Sequence, residues 1–320
     1  MVTRSLDKSD ETPRRESLQR LTQEKTSQDS DKPKKLDWNW QGHKIRYTVA
    51  GKGQPLLLIH GFGASIGHWK KNIPVLAKEG YRVFALDLLG FGGSDKAPLD
   101  YTLELWQEQV KDFWSEHISQ PTVFVGNSIG ALLSLMLVTN YPEISAGGVL
   151  INCAGGLNHR PGDLNPILGL VMSGFAKLVS SPVTGKFIFN NIRRKSQIRR
   201  TLYQVYRDRN AVTDELVEML YQPSCDDGAQ KVFASVLTAP AGNSPDELLV
   251  NLQRPLLILW GEKDPWTPVT GATIYQDLAA NNPDVQFQII KNAGHCPHDE
   301  NPEAVNSKIL EWLPCIAAFR

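Results

Sequence analysis

The sequence predicts an α/β fold: a mostly parallel central sheet with helices on both faces and an inserted helical cap. Three observations carry this expectation. Short apolar runs such as residues 55–60 and 255–260 are continuous rather than alternating, as in strands covered on both sides. Stretches with helical apolar spacing separate them, giving the strand–helix alternation of a parallel sheet. The rhythm then fails for about a hundred residues, 154–254, which read as helices and loops.

Taken in order, residues 1–36 are polar, charged and nearly free of aromatics. They hold too little apolar surface to offset their ordering entropy and read as a disordered tail. One domain is expected over 37–320, with folded sequence starting near Trp38. Residues 44–50 and 55–60 form two strands broken by the turn Gly51-Lys-Gly53. Further strands are expected at 81–87, 122–126, 148–153, 255–260 and 285–290. Trp106, Val110, Phe113 and Trp114 recur at helical spacing, as do Val305, Ile309 and Leu313. Pro302 stands where a first-turn proline is tolerated. The cap is expected over about 155–250. In such a sheet, chemistry belongs to the loops at the carboxyl ends of the strands.

Bulk properties exclude several classes. Lys+Arg and Asp+Glu balance at 34 each, so no global field recruits nucleic acid or an anionic surface. Cys153, Cys225, Cys296 and Cys315 form no CxxC pair and read as reduced thiols. There is no apolar run long enough to span a bilayer. The N-terminal residues lack the apolar core of a secretory signal and mix acids with bases, so a cytoplasmic location is expected. No phosphate loop and no clustered ligands suggest a cofactor or a metal.

The chemistry centres on Ser128. Residues 122–132 read as an apolar strand, then Gly126-Asn-Ser128-Ile-Gly130, then an apolar helix. G-x-S-x-G is weak alone and strong in this setting, because the strand-to-helix turn projects the serine above the sheet. A serine hydroxyl needs a base within hydrogen-bond reach. Of seven histidines only His295 follows the last strand in a turn, Lys291-Asn-Ala-Gly-His295. His298 is the competitor, expected instead to support the loop through hydrogen bonds. Asp264, after the sixth strand, is the carboxylate expected to orient His295, with Glu262 as its neighbour and rival. The chain order Ser128, Asp264, His295 matches the order known for this elbow. Some hydrolases place the acid after the preceding strand; here that position reads Ile151-Asn152-Cys153 and carries no carboxylate. The oxyanion hole is expected from the backbone N–H of Ile129 and of Phe62, in His60-Gly-Phe-Gly63. His60 and Asp87 read as structural, Asp87 bracing the loop Gly90-Phe-Gly-Gly93.

With these residues placed, the chain resembles the α/β-hydrolases of photosynthetic organisms, most closely the chlorophyll dephytylases. The resemblance spans about residues 38–313. It rests on His60-Gly-Phe-Gly-Ala-Ser65, Gly126-Asn-Ser-Ile-Gly130, Trp260-Gly-Glu-Lys-Asp-Pro-Trp266 and Ala293-Gly-His-Cys-Pro-His-Asp-Glu300, among others. It implies the α/β-hydrolase fold, hydrolysis of the phytyl ester of chlorophyll to chlorophyllide and phytol, and a triad at Ser128, Asp264 and His295. Pheophytinases share the chemistry on the magnesium-free pigment. Carbon–carbon bond hydrolysis is the alternative within the fold, and a non-enzymatic receptor the alternative outside it. Epoxide- and haloalkane-cleaving relatives are disfavoured, since they carry aspartate where Ser128 stands. The stretch 164–176 has no charge and reads either as a channel for a greasy alcohol or as the cap's own core. Arg193, Arg194, Lys195, Arg199 and Arg200 follow it; they read either as a solvated face or as a contact with a photosynthetic membrane.

Overall fold

A computed structural model describes residues 33–158, 178–181 and 183–319. The apolar stretch 164–176 and the first 32 residues of the expected tail lie outside the described residues.

The first strand, β1 (Lys34–Trp40), begins inside the segment expected to be disordered. It pairs antiparallel with β2 (His43–Ala50) through the turn at Gln41 and Gly42, both with positive φ. Its polar sequence hides it: only Trp38 and Trp40 are buried. Their indole N–H groups donate to Glu116 and Asp112.

Next come β3 (Gln54–Ile59), α1 (Ile73–Lys78), β4 (Tyr81–Leu86), α2 (Leu103–His117), β5 (Thr122–Asn127), α3 (Ile129–Asn140) and β6 (Ser145–Ile151). The intervening helices α4 (Thr184–Ile192), α5 (Lys195–Val205), α6 (Asp214–Tyr221), α7 (Ala229–Thr238) and α8 (Pro245–Leu249) precede β7 (Leu256–Gly261). The chain closes with α9 (Thr273–Asn281), β8 (Val285–Ile290), α10 (Pro297–Glu300) and α11 (Pro302–Trp312).

The sheet order is β1-β2-β4-β3-β5-β6-β7-β8, and every pairing from β4 to β8 is parallel. Alternate residues feed two cores, as the period of a strand requires. Leu57, Ile59, Phe84 and Phe124 pack with Phe113 of α2, Leu132 of α3 and Tyr275 of α9. Leu56, Leu58, Val123 and Val125 pack with Leu76 of α1 and Ile309 of α11 on the other face. The central helix α3 is buried from Ile129 to Thr139, so it is apolar all round rather than striped. α8 is not a cap helix in its packing: Leu248 and Leu249 join the core that contains α3. Helices α4–α7 instead contribute side chains to a cavity that Ser128 and His295 also line, past the carboxyl ends of β5 and β8.

Two glycines allow the crossing of β5 and α3. A Cβ on Gly126 would lie 2.0 Å from the Gly130 carbonyl oxygen, and one on Gly130 would lie 2.2 Å from that of Ile59. Both obstacles are backbone and cannot swing aside. Gly130→Ala is therefore expected to lose most of its soluble folded protein, with any remainder melting many degrees lower in a thermal circular-dichroism scan. Overpacking of this severity exceeds the roughly 1–3 kcal/mol of an ordinary small-to-large change.

Candidate active site

Ser128 joins β5 to α3 with φ 58° and ψ −120°. That conformation is sparsely populated for an L-residue and stores on the order of 1–3 kcal/mol of strain. The surroundings impose it. The Ser128 N–H donates to Ile151 O (3.0 Å), and its carbonyl accepts from Ala131, Leu132 and Ala154. The side chain is left half-buried at the floor of a cavity.

His295 lies in the turn after β8, 3% exposed, and Asp264 in the turn after β7, 5% exposed. His295 Nδ1 is 2.7 Å from Asp264 Oδ2. Every other partner of this carboxylate is also a donor. Oδ1 accepts from the N–H of Trp266 (2.8 Å) and of Thr267 (3.1 Å). Oδ2 accepts from the Thr267 hydroxyl and from Asn152 Nδ2. Burial pushes the Asp264 carboxyl up, but the His295 hydrogen bond and charge and the Thr267 donors outweigh it and hold it below the usual range. Nδ1 therefore carries the proton, and Nε2 of His295 is buried without a partner among the described residues. His295 and Ser128 line the same cavity.

Of the five residues expected to do chemistry, the structure brings Ser128, His295 and Phe62 to one cavity wall, with Asp264 bonded behind His295. The 60–63 loop reaches the serine closely: a Cβ on Gly61 would meet the Ser128 Cβ at 3.3 Å. Ile129 opens α3, where a first-turn N–H has no intrahelical partner. Glu262, the rival acid, instead accepts from the Asn292 N–H.

The residues expected to be structural have those contacts. His60 Nε2 accepts from the Leu88 N–H (3.0 Å) and Nδ1 donates to Gly61 O (2.8 Å); burial pushes its imidazole below the usual range. Asp87 accepts from the N–H groups of Ile66 and Gly93, which ties the two loops around the cavity together. His298 departs from expectation. Both its ring nitrogens are buried without hydrogen-bond partners among the described residues. It supports the loop by packing, with ring centroids 4.2 Å from Trp69 and 4.6 Å from His68.

Three contributors were not anticipated. Asn152 stands where a carboxylate was sought and found missing; its Oδ1 accepts from Gly261 N while its amide holds Asp264. Asn127 Nδ2 bridges Ile151 O and His295 O, so the residue before the nucleophile also fixes the base loop. The third is the end of α5, where Val205 O accepts the His295 N–H at 2.8 Å. The G-N-S motif carried a signal for Asn127; nothing local in the sequence marked the other two.

The cavity measures about 260 Å³. Its walls include Phe62 and Phe91, with Phe189, Leu202, Val232 and Phe233 from the helices over the sheet. Lys96 also lines it, but its ammonium is consumed by Gly92 O, Ser94 O and Asp226. Among the described residues, no group of three or more His, Cys, Asp or Glu side chains is placed to hold a metal ion.

A strained serine at a strand-to-helix turn, a buried carboxylate–imidazole pair after the last two strands and a helical cover define a hydrolase of the α/β type. A profile of the alpha/beta hydrolase family matches residues 56–308, and the chain belongs to that family. It is 27% identical to the chloroplastic pheophytinase of Arabidopsis thaliana, over 84% of this chain and 64% of that protein; it thus spans less than two thirds of that relative's length. It is 29% identical to the 2-hydroxy-6-oxo-6-(2'-aminophenyl)hexa-2,4-dienoic acid hydrolase of Metapseudomonas resinovorans, over 86% of this chain and 89% of that one. Among solved structures, a serine hydrolase involved in carbazole degradation superposes with a TM-score of 0.71 at 24% identity, covering 89% of this chain and 100% of the other. That likeness is one of fold.

Proposed function

We propose that the protein is a serine carboxylester hydrolase in which Ser128 is the nucleophile, His295 the general base and Asp264 the acid that orients it. The observation that carries this reading is the 2.7 Å His295–Asp264 bond beside the cavity that holds Ser128. It keeps the proton on Nδ1 and leaves Nε2 as the basic nitrogen. Ser128 Oγ adds to the ester carbonyl carbon, Nε2 takes the hydroxyl proton, and the carbonyl electron pair moves to oxygen. The Phe62 and Ile129 amides are the oxyanion donors, each worth about 3 kcal/mol in the transition state. Collapse re-forms the carbonyl and breaks the ester C–O bond; the alcohol leaves with the proton from His295. Water then loses a proton to Nε2 as its oxygen adds to the acyl carbon, and a second collapse frees Ser128 and the carboxylic acid.

The substrate we assign is the phytyl ester of chlorophyll, with the pigment's propionyl group as the acyl part and phytol as the first product. The alignment with pheophytinase supports a phytyl ester of this pigment class, with pheophytin as the alternative, and the apolar cavity supports a greasy alcohol. The cavity's apolar walls suit the alcohol chain, and burying that chain contributes roughly 0.8 kcal/mol per methylene. Carbon–carbon bond hydrolysis is the second reading, favoured by the 29% identity to the dienoic acid hydrolase. Incubation with chlorophyll a, pheophytin a, a short aryl ester and a 2-hydroxy-6-oxohexadienoate, followed by product separation, distinguishes them. Chlorophyllide from the wild type and none from Ser128→Ala supports the assignment. Cleavage of the dienoate alone sinks the ester reading.

The cap supports a membrane contact within the same proposal. Val183 (80%) and Phe187 (77%) project into solvent one helical turn apart, on the helix whose Phe189 and Ile192 line the cavity. No acidic residue occurs between Asp163 and Asp208, while Lys186, Arg194 and Arg200 are exposed. An apolar ridge flanked by cations fits an anionic bilayer surface. Among the described residues no helix is long and apolar enough to cross a membrane; the contact we propose is a peripheral one. Vesicles containing phosphatidylglycerol are expected to retain the protein at low salt and Phe187→Asp to reduce retention several-fold. Equal recovery in the supernatant with and without vesicles rejects the contact.

A further inference from the structure

The run His295-Cys-Pro-His-Asp-Glu300 contains one residue with a role in the reaction, yet its other members are buried or bonded. Their partners lie at the exit of α5. The Tyr206 hydroxyl donates to Asp299 Oδ2 at 2.9 Å, so it accepts from His68 Nε2–H at 2.7 Å. Lys71 Nζ closes the chain on Asp299 Oδ1 (2.9 Å) and on the Asp299 carbonyl (2.7 Å). The polarity is fixed throughout: His68 donates to Tyr206, Tyr206 to Asp299, and Lys71 neutralises the carboxylate. Burial pushes the His68 imidazole down to about 4, which keeps it neutral.

Glu300 makes the second set of ties. It accepts from the Gly294 N–H at 2.6 Å and from the Asp208 N–H. The two sets bracket the 2.8 Å bond from His295 N–H to Val205 O. Contact is so close there that a Cβ on Gly294 would lie 2.0 Å from the same carbonyl. Cys296 joins Leu202, Val205 and Tyr206 in one apolar cluster. Thus the backbone of the base is clamped by the residue just before Tyr206.

We infer that Tyr206 is a positioning residue for His295: through the chain Lys71–Asp299–Tyr206–His68 it seats the exit of α5, and the seated α5 holds the imidazole where Ser128 can use it. The inference rests on the reading of Ser128 and His295 as nucleophile and base. Cap placement and base placement then become one event. A substrate that fits under the seated cap is turned over; one that lifts α5 moves the base off line. Misplacement of a reacting group by about 1 Å costs on the order of a hundredfold, and loss of one tie costs a fraction of that.

The test uses the full chain and a fluorophosphonate that labels an activated serine. Tyr206→Phe keeps the ring and deletes the hydroxyl. Its labelling rate and its kcat for a short aryl ester are expected to fall about tenfold, in line with a partial misplacement, with KM changed less than twofold. Lys71→Met, at the far and partly exposed end of the chain, cannot touch substrate; a fall of about threefold in the same direction is expected, as for loss of one charge-assisted bond in the network. It also carries the test should Tyr206→Phe fail to fold. A wild type that is labelled, with either folded variant labelled at the wild-type rate, overturns the inference whatever the melting temperatures do. A wild type that is never labelled overturns the nucleophile assignment beneath it.

Discussion

Ser128→Ala is expected to lower turnover of an activated ester by roughly a millionfold, the scale seen when a nucleophile is removed from a triad that works as a unit. On the proposed mechanism, the remaining rate is expected from the Phe62 and Ile129 amides and from binding. The change is small for the fold. Alanine inherits the strained backbone at φ 58°, and the Ser128 contacts that fix the turn are made by its N–H and C=O. The melting temperature should thus stay within a few degrees. Active-site titration, which counts the alcohol released in the first turnover, checks the result directly. A first-turnover burst in the alanine variant would exclude Ser128 as the nucleophile.

Asp264→Asn is expected to cost roughly ten-thousandfold in kcat, since an amide favours the wrong imidazole tautomer. Here the penalty has a second source. Asp264 faces five donors, from Trp266, Thr267 (twice), Asn152 and His295. An asparagine must turn its own NH2 toward some of them and leaves them unpaired. The same carboxylate shapes the response to acid. In the folded protein this carboxyl is held below the usual value of 3.8, so its contribution to stability is fully present above that value and is lost as pH falls through the lowered one. Denaturation midpoints of wild type and Asp264→Asn should therefore differ by a constant amount at neutral pH and converge below about pH 4. A gap that widened on acidification would mean the carboxylate is not held ionised.

The expected strands are present, and the central ones, β3 to β7, were legible because a parallel strand buried on both faces needs an unbroken hydrophobic stretch. β1 escaped for the same reason: its exposed Lys34, Lys35, Leu36 and Asp37 give no run to see. The positions of Ser128, Asp264 and His295 after β5, β7 and β8 were legible because each follows a strand end, where chain order and topology coincide. Asn152 was read as an absence, although the amide there completes the carboxylate's shell. The sequence suggests loop-supporting hydrogen bonds for His298; burial between Trp69 and His68 leaves it none among the described residues. The bond from Tyr206 to Asp299 joins residues 93 positions apart, and no local pattern encodes such a meeting.

The bond from His295 N–H to Val205 O also limits how this enzyme can be rebuilt. A chimera that grafts a foreign cap onto the sheet loses the seating that places this backbone carbonyl against the base loop. Cap and residues 294–300 form one transplantable unit, and libraries that shuffle them together should yield active members far more often than libraries that exchange the cap alone.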